Sequence, residues 1–297
     1  MQLPVQAQST IFAEPWEADA GRDELAAIAV ACDRVGFDYV GVCDHVAIPA
    51  DRADAMGTAW FDPIATLGWL AGITARVRLL SHVYVPALRH PLATAKAFAT
   101  LDELSGGRVV LGVGAGHVAD EFALLGVDFA ERGRLTDAAV DGVRHAWRDE
   151  FGWVDASLGA FGQRPRPVQP GGPPIWIGGS SPAVLRRAAE RGDGWLPQGT
   201  TKSDMPAAIA QIAELRVAAG RSGAFTIGAI ARPLYLGDPG DDWELGRATL
   251  AGDAERLRAE IADYEAMGVD VLQVRFRSRS VAEYVEQVER FAAEVMA

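Results

Sequence analysis

The sequence predicts an α/β fold, a (β/α)8 barrel in which eight parallel strands alternate with helices. Three observations support this prediction. At four places the end of a helical stretch is followed by glycine and then by a short apolar run. These runs are nearly continuous in apolar residues, as expected for strands that are buried on both faces. The stretches between them carry apolar residues at helical spacing.

Glycine marks the four helix-to-strand junctions, because it closes a helix readily in the left-handed conformation. These glycines are Gly36, Gly106, Gly192 and Gly268. About two βα units separate each from the next, and a further apolar run falls within each interval. With an N-terminal run, the predicted strands lie at residues 3–9, 39–43, 77–85, 109–113, 174–177, 194–197, 225–231 and 271–274.

The predicted helices carry their apolar residues on one face. Two of them show this spacing clearly, at Leu25, Ile28, Cys32 and Val35 and at Leu257, Ile261, Tyr264 and Met267. Ser181 followed by Pro182 is typical of a helix start. The main alternative is a doubly wound open sheet, but the first strand is not followed by the GxGxxG sequence that would favour it.

Two segments interrupt the alternation, and we predict that they are insertions in a single domain spanning residues 1–297. The first covers residues 149–173 and is rich in Gly, Pro and aromatic residues, and the second covers about residues 236–250. Since loops of this length usually serve a function, we expect both at the carboxyl ends of the strands. Their aromatic residues would then line a pocket; the alternative is that they only cover the outer surface of the barrel. These aromatic residues are Trp153, Phe161 and Trp243.

Composition argues against several classes of partner. The net charge is −12 and no basic cluster occurs, so a nucleic-acid partner is not expected. No apolar run approaches the roughly 20 residues of a membrane span. The N-terminus lacks the pattern of a signal peptide, so a cytoplasmic location is expected. Cys32 and Cys43 fit neither a disulfide framework nor a zinc site, and we expect both in the core.

Residues suited to chemistry follow the second, third and fourth predicted strands. They are Asp44-His45, Ser81-His82-Val83 and Gly112-Val113-Gly114-Ala115-Gly116-His117, followed by Asp120-Glu121. In a barrel these positions share one end, where active sites lie. His45 can move a proton near neutral pH, and the closely spaced glycines let a flat ligand approach the backbone. The alternative for Asp44 is a capping role, and Arg89 and His90 could simply anchor their loop to carboxylates.

The start of the helix after the fifth strand is a candidate anion site. Gly178, Gly179, Ser180 and Ser181 offer backbone N–H groups and two hydroxyls there, and phosphate is the expected ligand. The alternative is ordinary helix capping by Ser181 alone.

Residues for nucleophilic or metal chemistry are scarce. The chain has no GxSxG sequence and neither HxH nor HExxH metal spacing. A metal site stays open only through convergence of His45, His82 and His117. The pattern therefore favours a protein whose demanding chemistry is done by an organic cofactor.

An ordered series of segments covers about residues 22–197. They are GFDYV (36–40), DHV (44–46), RHP (89–91), ATLD (99–102), LSGGR (104–108), LGVG (111–114), EF (121–122), AERG (130–133), PIWIGG (174–179) and GDGW (192–195). In these segments the chain resembles the bacterial luciferase-like flavin and deazaflavin superfamily, in its coenzyme F420-dependent branch.

The resemblance implies a barrel with the cofactor ring at the carboxyl ends of the strands. It implies a non-prolyl cis peptide between His82 and Val83, behind the ring, and contacts from Asp44 and His45 to the ring and nearby substrate. The other cofactor contacts that it implies are Ala115, Gly116, Asp120, Gly178, Gly179 and Ser181.

The resemblance further implies an oxidoreductase that transfers a hydride between the C5 atom of F420 and a small organic substrate, with His45 or His117 handling the proton. Sugar-phosphate dehydrogenases of this branch carry Glu where His117 stands and bind their substrate with lysines. This chain has only two lysines, so a phosphosugar is not expected. The alternative is an FMN-dependent monooxygenase with a separate reductase. A non-catalytic flavin-binding barrel and a metal-dependent hydrolase are rivals from other classes, and a homodimer is expected.

Overall fold

The computed structural model describes residues 1–7, 13–240, 243, 245 and 248–296. Its strands are β1 (Tyr39–Val42), β2 (Arg78–Ser81), β3 (Val109–Val113), β4 (Trp153–Asp155), β5 (Gly159–Phe161), β6 (Ile175–Gly178), β7 (Gly194–Leu196), β8 (Thr226–Ile230), β9 (Leu234–Leu236), β10 (Leu250–Gly252) and β11 (Val271–Gln273). Its α-helices are α1 (Arg22–Val35), α2 (Ala53–Met56), α3 (Pro63–Ile73), α4 (Pro91–Ser105), α5 (Ala119–Leu124), α6 (Arg132–Arg148), α7 (Pro182–Arg191), α8 (Met205–Ala218), α9 (Ala254–Ala266) and α10 (Val281–Glu294). None of the helices among these residues is long and apolar enough to cross a membrane.

The main sheet has seven strands in the order β1-β2-β3-β6-β7-β8-β11. Every neighbouring pair in it is parallel. Helices connect successive strands, so the carboxyl ends of all seven strands lie at the same end of the sheet. The chain is therefore an α/β protein with a mostly parallel sheet that curls into a half-barrel.

The seven later predicted strands are confirmed, with small differences at their ends. β3 matches its prediction residue for residue. β2 is shorter than the predicted run 77–85, because the chain leaves the regular ladder after Ser81. The His82 N–H still donates to the Val42 carbonyl at 2.7 Å. Tyr84 then pairs with Val113 in an isolated parallel bridge.

The predicted first strand, residues 3–9, is wrong in extent. Gln2 pairs with Gly41, and its N–H donates to the Val274 carbonyl at 3.2 Å. Residues 1–3 therefore hydrogen-bond to both edges of the seven-stranded sheet. Pro4, which has no N–H to give to a ladder, begins a bend over residues 4–6. Residues 8 and 9 of the predicted strand lie outside the described residues.

The helix-ending glycines behave as predicted at three of the four junctions. Gly36, Gly106 and Gly268 have positive φ angles of 90°, 70° and 87°. Gly192 differs, because its backbone is extended. A Cβ atom on Gly192 would lie 2.8 Å from the Ala188 carbonyl oxygen. The lack of a side chain there serves a close approach of helix and strand.

The first predicted insertion does not line the cavity at the carboxyl ends of the strands, which corrects the expectation. Within residues 149–173, β4 and β5 form an antiparallel hairpin. Gln163 then bonds the Leu92 carbonyl at the start of α4, and Gln169 bonds the Val109 carbonyl at the start of β3. The segment therefore runs along α4 from its start to its end and does not extend over the cavity.

The second predicted insertion, residues 236–250, is described only in part. Residues 241, 242, 244, 246 and 247 lie outside the described residues. Trp243 packs edge-on against Tyr235, with ring centroids 5.4 Å apart. No described residue of either insertion lines the main cavity, so Trp153, Phe161 and Trp243 are not its apolar lining.

Candidate active site

The carboxyl ends of the strands surround a cavity of about 820 Å³. All but one of the site residues predicted from the sequence line it. These are Asp44, His45, His82, Val83, Ala115, Gly116, His117, Gly178, Gly179, Ser180 and Ser181. The volume is large enough for a cofactor-sized molecule.

Asp120 is the exception. It is exposed and lies outside the cavity lining formed by the described residues. The cause is helical phase: α5 begins at Ala119, and the next residue, Glu121, turns inward and is only 3% exposed. The sequence shows both acidic residues side by side, and only the start of the helix decides which one points into the protein.

Glu121 holds the loop that follows β1. Its carboxylate accepts hydrogen bonds from the backbone N–H groups of Val46 at 2.5 Å and Ala47 at 3.2 Å. Its other oxygen lies 3.1 Å from Nδ1 of His45. Because a carboxylate can only accept, Nδ1 of His45 carries a proton, and Nε2 is the ring nitrogen left to exchange one.

The charge on Glu121 is stabilised by these bonds. Burial raises the pKa of this carboxyl, but hydrogen bonds from His45 and from the two backbone N–H groups outweigh it, so the pKa of Glu121 is lowered. Glu121 is therefore ionised at neutral pH, and its acceptor role towards His45 persists.

The His45 ring contacts two further rings. Trp60 packs edge-on against it with centroids 4.5 Å apart, and the His117 ring lies 5.4 Å away. The partial burial of His117 and the neighbouring His45 lower the pKa of His117. Both histidines thus face one cavity, and His117 is neutral near pH 7.

Asp44 forms a buried ion pair with Arg89. Its carboxylate is 5% exposed and accepts from the Val85 N–H at 2.8 Å and from Nη2 of Arg89 at 2.8 Å. Burial raises the pKa of Asp44, and Arg89 opposes that rise. The alternative in which Arg89 anchors its loop to a carboxylate is therefore confirmed. The pair fixes the loop after β2 against the end of β1.

One wall of the cavity is formed by Val83 and two glycines. The peptide between His82 and Val83 is cis, as the resemblance implies. A Cβ atom on Gly114 would lie 2.5 Å from Cγ2 of Val83, and one on Gly178 would lie 2.6 Å from Cγ1. Glycine at these two positions leaves room for Val83 between the strands, so a planar ligand can lie against Val83 and bare backbone.

The predicted anion site lies at the N-terminus of α7. Ser181 caps the helix and accepts from the Val184 N–H at 3.4 Å. Ser180 donates its hydroxyl to the Gln198 carbonyl at 2.6 Å, which ties it to the loop after β7. Capping by Ser181 is therefore present. Pro182 has no N–H and Ser181 accepts from the Val184 N–H. Among the described residues, the Ala183 N–H is the group at the start of α7 that remains suited to a phosphate.

Sequence reasoning missed several residues that line the cavity. They are Trp60, Arg132, Gln198, Thr200, Lys202, Gln273 and Arg275. Most come from loops or strand ends without a recognisable motif, so their polar character alone gave no signal. Within the part of the chain that is described, no group of three His, Cys, Asp or Glu residues is arranged to hold a metal ion.

The model of the luciferase-like monooxygenase family matches residues 1–244. The chain belongs to this family. An uncharacterised protein of Mycobacterium tuberculosis is 30% identical over 271 residues, covering 82% of this chain and 93% of the relative. An F420-dependent glucose-6-phosphate dehydrogenase of Amycolatopsis mediterranei is 32% identical over 191 residues, covering 59% of this chain and 53% of the relative.

Solved structures share the fold. A monooxygenase from Streptomyces bottropensis has a TM-score of 0.80 at 23% identity and covers 100% of this chain and 98% of its own. An F420-dependent secondary alcohol dehydrogenase has a TM-score of 0.75 at 20% identity, with 92% and 94% covered. The FMN-bound oxygenating constituent of 3,6-diketocamphane monooxygenase from Pseudomonas putida has a TM-score of 0.73 at 15% identity, with 93% and 94% covered. The family and its relatives identify the chain as an oxidoreductase.

Proposed function

We propose that this enzyme transfers a hydride between coenzyme F420 and a small organic substrate in the cavity at the carboxyl ends of the strands. The observation that carries the proposal is the position of His45, fixed by Glu121, on the same cavity as the wall of Val83, Gly114 and Gly178. The curated F420-dependent relative at 32% identity supports the choice of cofactor.

The residues present fit a flat, phosphate-bearing cofactor. Gly114 and Gly178 leave room for Val83, so Val83 and backbone without side chains form a surface against which the ring would lie, and the N-terminus of α7 would hold the phosphate. When bound, the deazaflavin supplies a ring carbon that gives or accepts two electrons as hydride. Val83, Gly114 and Gly178 would hold the ring, and Ser181 with Gly179 would hold its phosphate.

The proton that accompanies hydride transfer is assigned to His45. Glu121 keeps the proton of the neutral ring on Nδ1, so Nε2 is the atom that accepts or returns a proton. Trp60 packs against the ring and restricts both its rotation and its contact with water. His117 is the second candidate, 5.4 Å from His45 between ring centroids.

The lysines offer little to a phosphosugar. Lys202 lies at the cavity but pairs with Glu260 and Asp263, each at 2.9 Å. Lys96 donates to the Arg164 carbonyl, away from the cavity. The proposed substrate is therefore a small organic molecule without a phosphate group.

The architecture behind this proposal is a single domain over residues 1–297. Residues 1–3, which bond both Gly41 and Val274, would serve as the first of eight barrel strands. We further propose a homodimer, which the resemblance implies, and a cytoplasmic location. Light scattering on the purified protein tests the dimer.

Binding titrations with F420 and FMN test the proposed function. F420 should bind at micromolar concentration and about tenfold more tightly than FMN. Gly178→Ala tests whether binding depends on the wall at Val83. A Cβ atom at this position collides with Val83, so the variant should bind both F420 and FMN more weakly than the wild type. A protein that binds neither cofactor would contradict the proposal.

The second candidate is an FMN-dependent monooxygenase supplied by a separate reductase. The structural likeness to a monooxygenase and to an FMN-bound oxygenating component favours it. Tighter binding of FMN by about tenfold, with oxygen uptake when reduced FMN is added, would select this function over the first.

A further inference from the structure

A layer of inward-facing residues lies between the apolar interior of the sheet and the cavity. Side chains alternate along a strand, so residues two positions apart share a face. The lower layer is apolar: Tyr39, Leu80, Val110, Trp176 and Leu196 form one buried cluster, and Val271 packs against it. Two residues further along five of these strands lie Gly41, His82, Gly112, Gly178 and Gln273. Three of these five positions are glycine, and the other two are His82 and Gln273.

Both side chains are buried with unpaired polar atoms. His82 is 4% exposed, and neither ring nitrogen has a hydrogen-bond partner among the described residues. Gln273 is 1% exposed, and its Oε1 likewise has no partner in the described part of the chain. Both line the cavity. Leaving such atoms unpaired costs free energy, so they mark positions where a ligand can supply the missing bonds.

A chain of polar contacts runs from Gln273 to Cys43, which directly follows the strand next to the one that His82 follows. Nε2 of Gln273 donates to Oε1 of Gln2 at 3.3 Å, and Nε2 of Gln2 donates to Sγ of Cys43 at 3.4 Å. Cys43 follows β1 where His82 follows β2, and these strands are neighbours with Val42 paired to Ser81. Gln2 thus accepts one amide hydrogen of Gln273, while Oε1 of Gln273 has no partner among the described residues.

Among the described residues, the cavity floor formed by His82, Gln273, Gln2 and Cys43 carries no unpaired charge. Burial lowers the pKa of His82 to about 4, and burial raises the pKa of the Cys43 thiol, so both are neutral at pH 7. Arg275 also lines the cavity, but it pairs with the buried Glu17 at 2.5 Å. A charged ligand group would therefore find no counter-charge here.

We propose that His82 and Gln273 form a floor subsite that binds a neutral amide-type edge of the ligand, in which a hydrogen-bond donor lies beside an acceptor. A neutral imidazole offers one donor and one acceptor, and Oε1 of Gln273 adds a second acceptor. Lactam and imide edges of heterocycles have the matching pattern. The proposal rests on the proposed function only in that the ligand enters this cavity, and the edge can belong to the cofactor ring or to the substrate.

The test compares His82→Leu and Gln273→Met with a matched control, Tyr39→Phe. The Tyr39 hydroxyl is also buried without a partner among the described residues, but Tyr39 is in the apolar layer and does not line the cavity. For each protein, the Kd values for F420 and FMN, the KM for substrate, and the melting temperature of the ligand-free protein are measured. Both cofactors carry an imide edge, so either can serve as the probe.

The subsite predicts that both cavity variants bind cofactor about tenfold more weakly while their ligand-free melting temperatures stay level or rise. Tyr39→Phe should keep the wild-type Kd. A rise of about tenfold in KM with unchanged cofactor Kd assigns the edge to the substrate instead. The subsite is overturned if neither Kd nor KM changes in either variant, or if both variants melt several degrees lower. A wild type that binds neither cofactor contradicts the proposed function, whereas normal cofactor binding with unchanged variants contradicts the subsite alone.

Discussion

Replacing Glu121 by Gln isolates the orientation of His45 from every other feature of the cavity. Glutamine has the shape of glutamate, so its Oε1 can still accept from the N–H groups of Val46 and Ala47. Its Nε2 would then face Nδ1 of His45 and donate to it. The ring proton would have to move to Nε2, and the acceptor that faces the reaction would be lost.

The size of the effect follows from two separate terms. Positioned acid–base catalysis contributes about 10²–10⁴-fold to rate, so we expect kcat to fall by about 10²-fold or more. Hydrogen bonds to a charged acceptor contribute about 1.5–3 kcal/mol, against about 0.5–1.5 kcal/mol for neutral ones. With two backbone bonds weakened in this way, the free energy of unfolding should fall by about 2 kcal/mol at pH 7.

The stability difference should depend on pH with a definite sign. The pKa of Glu121 is lowered in the folded protein, so its ionised form stabilises the fold above its unfolded pKa of about 4.3. That contribution is lost as the pH falls through the lower, folded pKa. Wild type and Glu121→Gln should therefore converge in stability in strong acid.

Steady-state kinetics and cofactor titration together test this prediction. Glu121→Gln should keep the cofactor Kd within about threefold while kcat falls. Glu121→Asp keeps the acceptor-only carboxylate and should recover part of the activity. The reasoning is refuted if Glu121→Gln retains wild-type kcat, or if Glu121→Asp is as inactive as the Gln variant.

Three further predictions concern the wall, the ion pair and the floor. Gly178→Ala should destabilise the protein by about 1–3 kcal/mol in urea unfolding, because its Cβ atom would lie 2.6 Å from Val83; unchanged stability would show that the wall can yield. Arg89→Met should lower the free energy of unfolding by about 3 kcal/mol, since it leaves Asp44 buried and uncompensated; Arg89→Lys is the control, and a loss below about 1 kcal/mol would contradict the pairing. Burial and the N-terminal amine lower the pKa of His82 to about 4. The unfolded chain, with a pKa near 6.5, therefore gains a proton first as the pH falls. Stability should drop by about 3 kcal/mol between pH 7 and pH 4, and this drop should be absent in His82→Leu.

The strands of the main sheet were predictable, because burial on both faces requires a nearly continuous run of apolar residues. β3 is the clearest case, since a run of five buried residues ends at the Gly-rich loop. The histidines followed from the same logic, because polar residues directly after a buried strand must lie at the strand's end. Residue type and strand position together therefore placed His45, His82 and His117 at one cavity.

The sequence did not reveal which segments and side chains face the cavity. Residues 149–173 have the composition of an active-site loop, but in the structure they run along α4 and do not reach the cavity. Asp120 and Glu121 differ by one helical step, and that step decides that Glu121 contacts His45. Likewise, Gln273 ends an apolar strand with no motif around it, and only the alternation of the sheet places it on the cavity floor.

A crystal structure of the protein soaked with F420 would show the cofactor and the histidines together. We expect the deazaflavin ring to lie against Val83, between Gly114 and Gly178, with His45 on the open side of the cavity and the phosphate at the N-terminus of α7. A ring bound elsewhere, or one whose reactive face is turned away from His45, would contradict this expectation.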